Sequence, residues 1–121
     1  MLSHLRNSVL CLGAVALLGA SAAFSGCSSS TSTSGPVTLT VVNSQPQGGV
    51  KTIRYTQGQT ADITVKSTTA EEIHIHGYDL HQGVPANGTV HFRFTANTQG
   101  TFIIELEKDS RQIAFLQVFP K

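Results

Sequence analysis

Tryptophan is absent from this 121-residue chain, methionine occurs once, at Met1, and cysteine twice, as Cys11 and Cys27. With no sulfur beyond Cys27, the body of the chain can build neither a disulfide framework nor a paired-cysteine zinc site. Charge is sparse too: eight Lys and Arg stand against seven Asp and Glu. So even a balance argues against a nucleic-acid surface. No Gly-x-Ser-x-Gly elbow and no phosphate-cradling glycine loop occurs. Hydrolysis would need a water on a histidine-bound metal, with Glu72 or Asp79 as base, and the expectation is a protein that is not an enzyme.

The sulfur that is present sits in a leader. A polar start containing Arg6 runs into an apolar stretch from Val9 to Ala20, too short and wrongly flanked for a spanning helix, which reads as a secretory signal over residues 1–26. Cys27, directly after Ser25 and Gly26, resembles the lipobox of bacterial lipoproteins, with Phe24 where Leu is commoner. That resemblance implies cleavage before Cys27, lipidation of its thiol and a protein anchored by lipid on the extracytoplasmic face of a membrane. Loss of Arg6 leaves seven Lys and Arg against seven Asp and Glu, a neutral mature chain. Residues 28–35, SSSTSTSG, carry no apolar side chain and read with Cys27 as a lipidated, flexible tether.

Residues 36–121 show strand periodicity throughout. Val37, Leu39 and Val41 alternate with polar neighbours, as do Ala61, Ile63 and Val65, then Val90, Phe92 and Phe94, then Phe102, Ile104 and Leu106. Turn residues separate the runs, at Ser44–Gly49, Gln57–Gln59, Val84–Gly88 and Asn97–Gly100. Seven short strands in under ninety residues predict an all-β, antiparallel two-sheet sandwich.

Within that frame Glu71–His81, EEIHIHGYDLH, holds three of the five histidines. Ile73 and Ile75 alternate with His74 and His76, so one strand face is apolar and the other carries imidazoles. Residues i and i+2 leave a strand in the same direction from alpha carbons roughly 6.6 to 7 Å apart, close enough for both rings to lean onto one cation. The candidate ligands are His74 and His76, completed by His81 or Asp79. Imidazoles with a carboxylate suit Cu(II), Zn or Fe. The alternative is a set of solvent-facing histidines bonded to neighbours. His91 reads as a surface residue, Glu71 and Glu72 as an acidic rim or as guards of a strand edge, and Glu105 and Glu107 as a solvated face.

The runs HIHGYDL (74–80), VPANGTVHFRFTA (84–96), QGTFIIELE (99–107) and IAFLQV (113–118) together resemble a cupredoxin-like domain, in particular the EfeO-type cupredoxin-like family. The resemblance implies a Greek-key sandwich and a ligand position at His76, ahead of Gly77 and Tyr78. It also places a thiolate where this chain has Leu106, and residues 107–115 contain no Cys, His or Met. A type 1 copper site needs that thiolate, so blue-copper electron transfer is excluded. Two functions remain open: a membrane-anchored metal-binding accessory, or a metal-free sandwich that docks a membrane protein partner by an edge strand or surface patch.

Overall fold

Alternation decides which side chains are buried. In the computed structural model, which describes residues 35–121, Ala61, Ile63 and Val65 are fully buried while Asp62, Thr64 and Lys66 between them are not. The signal segment, Cys27 and residues 28–34 of the tether lie outside the described residues. The strands are β1 (Val37–Val42), β2 (Gln45–Pro46), β3 (Lys51–Thr56), β4 (Thr60–Ser67), β5 (Glu71–Ile75), β6 (Leu80–Val84), β7 (Gly88–Thr95), β8 (Gly100–Leu106) and β9 (Arg111–Phe119), with one 3-10 turn at Glu107–Asp109. Among the described residues no helix is long and apolar enough to cross a membrane.

Two sheets face each other, one in the order β2-β1-β4-β7 and the other β3-β9-β8-β5-β6. Between them lie Ile53, Tyr55, Ile63, Ile73, Ile75, Phe92, Ile104, Leu106, Ile113 and Leu116, all buried. Removing each such side chain from water contributes about 1.5 to 3 kcal/mol before the cost of ordering it. The all-β sandwich expected from periodicity is what forms.

Its details differ from expectation in two ways. Nine strands form rather than seven, because Gln45–Pro46 folds back onto β1 and Leu80–Val84 pairs along β5. Neither addition has an alternating apolar pattern to announce it. The sheets are also mixed rather than antiparallel: β1 runs parallel to β4, and β3 parallel to β9. Alternation specifies a strand's inner face, but not which strand lies beside it.

Local chemistry explains the turns. Asn43 and Ser44 both take positive φ, 50° and 59°, in the connection from β1 to β2. Asn87, at φ 56°, completes the turn in which the Gly88 amide donates to the Pro85 carbonyl at 2.9 Å. Glu71 is buried rather than part of a rim. Its carboxylate accepts from the hydroxyls of Ser44 and Thr69, which tie the start of β5 to the turn after β1.

Candidate metal centre

Register across the five-stranded sheet assembles the site. His74 on β5 lies directly opposite His81 on β6 and opposite Glu105 on β8, so three polar side chains form one lateral row on the outer face. Side chains directly opposite each other have beta carbons about 4.5 to 5.5 Å apart. Two residues on, the His76 amide donates to the Ile103 carbonyl at 2.9 Å and continues the β5–β8 ladder past the end of β5. His76 therefore stays on the same face as His74.

The turn that follows is locked from within. Gly77 has φ 78°, and a Cβ there would sit inside the Phe102 ring. Tyr78 packs against Phe94 and Phe102, ring centroids 4.7 and 5.2 Å away, while its hydroxyl donates to the Thr98 carbonyl at 2.8 Å. A shift between Ile104 and Glu105 in the β8–β9 register marks a bulge, which raises local twist beside Glu105.

Three imidazoles stack as a result. The His74 ring lies 3.8 Å from that of His81 at 18° and 4.1 Å from that of His76 at 28°. Carboxylates surround the stack. His76 Nε2 is 2.7 Å from Glu105 Oε1; His74 Nδ1 is 3.9 Å from the same oxygen and 2.9 Å from Glu107 Oε2. His81 Nδ1 is 3.5 Å from Glu72, and its Nε2 is 3.4 Å from Asp79. The close side-chain contacts described for these four carboxylates are all with imidazoles.

One atom in this cluster lacks what its burial demands. His74 Nδ1 is shielded from solvent and has no hydrogen-bond partner among the described residues. Glu107 Oε2 is close, at 2.9 Å, but not along a direction that a ring N–H could use. That contact is a close approach without a hydrogen bond, and the nitrogen is left unsatisfied. A buried nitrogen left so is costly unless something else engages it.

Ligand atoms on a tetrahedral ion at about 2.0 to 2.2 Å stand about 3.4 Å from one another. The contacts along His76 Nε2, Glu105 Oε1, His74 Nδ1 and Glu107 Oε2, at 2.7, 3.9 and 2.9 Å, bracket that spacing. In each of two groups of three donors the ligand atoms lie within 4.8 Å of one another: His74, His76 and Glu105 in one, and His74, His81 and Glu107 in the other. His74 belongs to both.

The structure thus brings together His74, His76 and His81 from the sequence-based set. Asp79, in the left-handed conformation at φ 52° and with a side chain 95% exposed, stands beside His81 and belongs to neither group. Glu105 and Glu107, read from sequence as a solvated face, are close carboxylate neighbours of His74, and the Glu105 side chain is only 13% exposed. The outward position of Glu105 between buried Ile104 and Leu106 was readable, but not the strand beside it. Leu106, where the sequence resemblance would put a thiolate, is fully buried in the core. His91 lies away from the cluster, on β7, with Nδ1 3.1 Å from the Thr64 hydroxyl.

No protein-family model and no curated protein matches the sequence. Solved structures do match the fold. One is the metal-binding domain of the Cu(I)-exporting P-type ATPase CopA of Streptococcus pneumoniae D39, with Cu(I), at TM-score 0.57 and 15% identity over 67% of this chain and 81% of that one. A copper nitrite reductase from Nitrosomonas europaea matches at TM-score 0.57 and 19% identity, over 72% of this chain and 42% of the enzyme. Lac15 from a marine microbial metagenome matches at TM-score 0.59 and 20% identity, over 71% of this chain and 32% of that one. The chain spans less than half the length of the last two. At these identities the likeness is one of fold, and that fold is cupredoxin-like.

Proposed function

We propose that this chain is a membrane-anchored, extracytoplasmic cupredoxin-like lipoprotein of the EfeO type. Its role is to hold a transition-metal ion, Cu(II), Zn or Fe, as an accessory in metal handling rather than as an enzyme or a blue-copper electron carrier. The observation that carries this reading is the buried His74 Nδ1, without a hydrogen-bond partner and flanked by His76, Glu105 and Glu107. Neutral imidazole nitrogen and carboxylate oxygen are the donors such ions take, and binding one would engage the nitrogen the fold leaves unsatisfied. His81 supplies a further donor from the edge strand, and Glu72 and Asp79 orient its ring. Anchoring rests on the Ser25-Gly26-Cys27 motif and the apolar run before it. In this reading the neutral, helix-free domain acts just outside the membrane, where it hands its ion to a membrane protein.

Calorimetric titration of Zn(II) into the full chain in detergent tests the proposal. Wild type is expected to bind one equivalent, and the His74→Ala, His76→Ala double variant to lose that binding. Equal, weak heats from both proteins would leave the proposal without support.

A further inference from the structure

The donor set carries a statement about oxidation state that the fold does not. We infer that the site takes a divalent ion and discriminates against Cu(I). This rests on the reading of His74, His76 and Glu105 as ligands and narrows it.

The first reason is the chemistry of the donors. Residues 35–121 contain neither cysteine nor methionine, so no thiolate or thioether can be recruited by any local rearrangement. Soft sulfur ligands select Cu(I); imidazole with carboxylate suits divalent ions.

Charge gives the second. Glu105 and Glu107 each bring an oxygen to the same His74 Nδ1, at 3.9 and 2.9 Å, and Glu105 is largely buried. With neutral imidazoles, two carboxylates are balanced by an ion of charge two. A monovalent ion leaves one negative charge uncompensated where solvent screening is reduced, which is unfavourable.

Coordination number supplies a third. The two donor groups that share His74 each offer two imidazole nitrogens and one carboxylate oxygen. Three such protein donors, with water in the remaining position, match the coordination of Zn(II) and fit Cu(II). The fold likeness alone would point the other way, since one structural neighbour is described with Cu(I). Here the side chains, not the sandwich, decide.

The experiment is a chelator competition on the full chain in detergent. Zn(II) and Cu(II) are titrated in air, Cu(I) anaerobically against a colorimetric Cu(I) chelator, for wild type, E105Q and E107Q. Glu107 lies half-exposed in the 3-10 turn, so its substitution does not threaten folding. Expected are retention of Zn(II) and Cu(II) by wild type, transfer of Cu(I) to the chelator, and a loss of Zn(II) affinity of about tenfold or more in each variant. Cu(I) held as tightly as Zn(II), or variants that bind Zn(II) like wild type, would overturn the inference while leaving metal binding intact. Failure of wild type to hold any of the three ions would overturn both it and the proposed function.

Discussion

The outer faces of the two sheets both carry histidine and treat it in opposite ways. On the four-stranded sheet His91 lies opposite Thr64, and Arg93 opposite Asp62. His91 Nδ1 has the Thr64 hydroxyl at 3.1 Å, and the Arg93 guanidinium donates to Asp62 at 3.0 Å. Both of these side chains have a partner of complementary chemistry. On the five-stranded sheet His74 lies opposite another histidine and a glutamate, and its buried Nδ1 has no hydrogen bond. A histidine on a strand thus becomes a candidate ligand through what register sets beside it. The period-2 pattern alone does not distinguish His74 from His91.

The largest expected effect tests that contrast directly. His74→Ala should weaken Zn(II) binding about 100-fold or more, equivalent to about 2.7 kcal/mol, since it removes the donor common to both groups. His91→Ala should leave the affinity unchanged. Comparable losses from both variants, in a calorimetric titration, would erase the distinction between the faces.

A smaller effect probes how the histidine face is held. Gly77→Ala forces a side chain into positive φ and against Phe102, at a cost of about 2 kcal/mol in stability. Because that turn sets His76, zinc affinity should fall as well. Denaturant unfolding with and without Zn(II) separates the two losses; a Gly77→Ala protein as stable as wild type would show that the turn is not locked as described.

Much of this architecture is legible in the sequence, and each exception has a physical cause. Ile63, Val65, Ile73, Ile75, Ile104 and Leu106 announce their burial by alternation, and all are fully buried. The common face of His74 and His76 follows from the same rule, as does the want of sulfur around them. Leu80–Val84 escapes notice because LHQGV is an edge strand, with His81, Gln82 and Gly83 exposed in succession. Glu105 and Glu107 escape because their place depends on β8 lying beside β5, a pairing between segments some thirty residues apart that no local pattern encodes. Asp79 is near in sequence, and its left-handed backbone leaves the carboxylate largely in solvent, 3.4 Å from His81 Nε2 and 4.0 Å from His74 Nε2.

The seam between the two sheets gives the smallest and most selective test. Tyr55, buried on β3, accepts the Asp62 amide of β4 at 3.1 Å and donates to the Gly35 carbonyl at 3.1 Å, so its hydroxyl joins one sheet to the other. Burial raises its pKa above the usual 10.0 and the nearby Asp62 carboxylate raises it further, while the Asp62 backbone contact opposes them. The unfolded chain therefore ionises this phenol first on the alkaline side. Between the unfolded and folded values the native state binds more protons, so the stability it contributes is intact below about pH 10 and declines as pH rises beyond it. Tyr55→Phe should cost about 1 kcal/mol at neutral pH and flatten the alkaline decline. His74→Ala should keep the wild-type alkaline slope, since the seam lies apart from the imidazole stack. An unchanged slope in Tyr55→Phe would mean that the alkaline loss begins elsewhere.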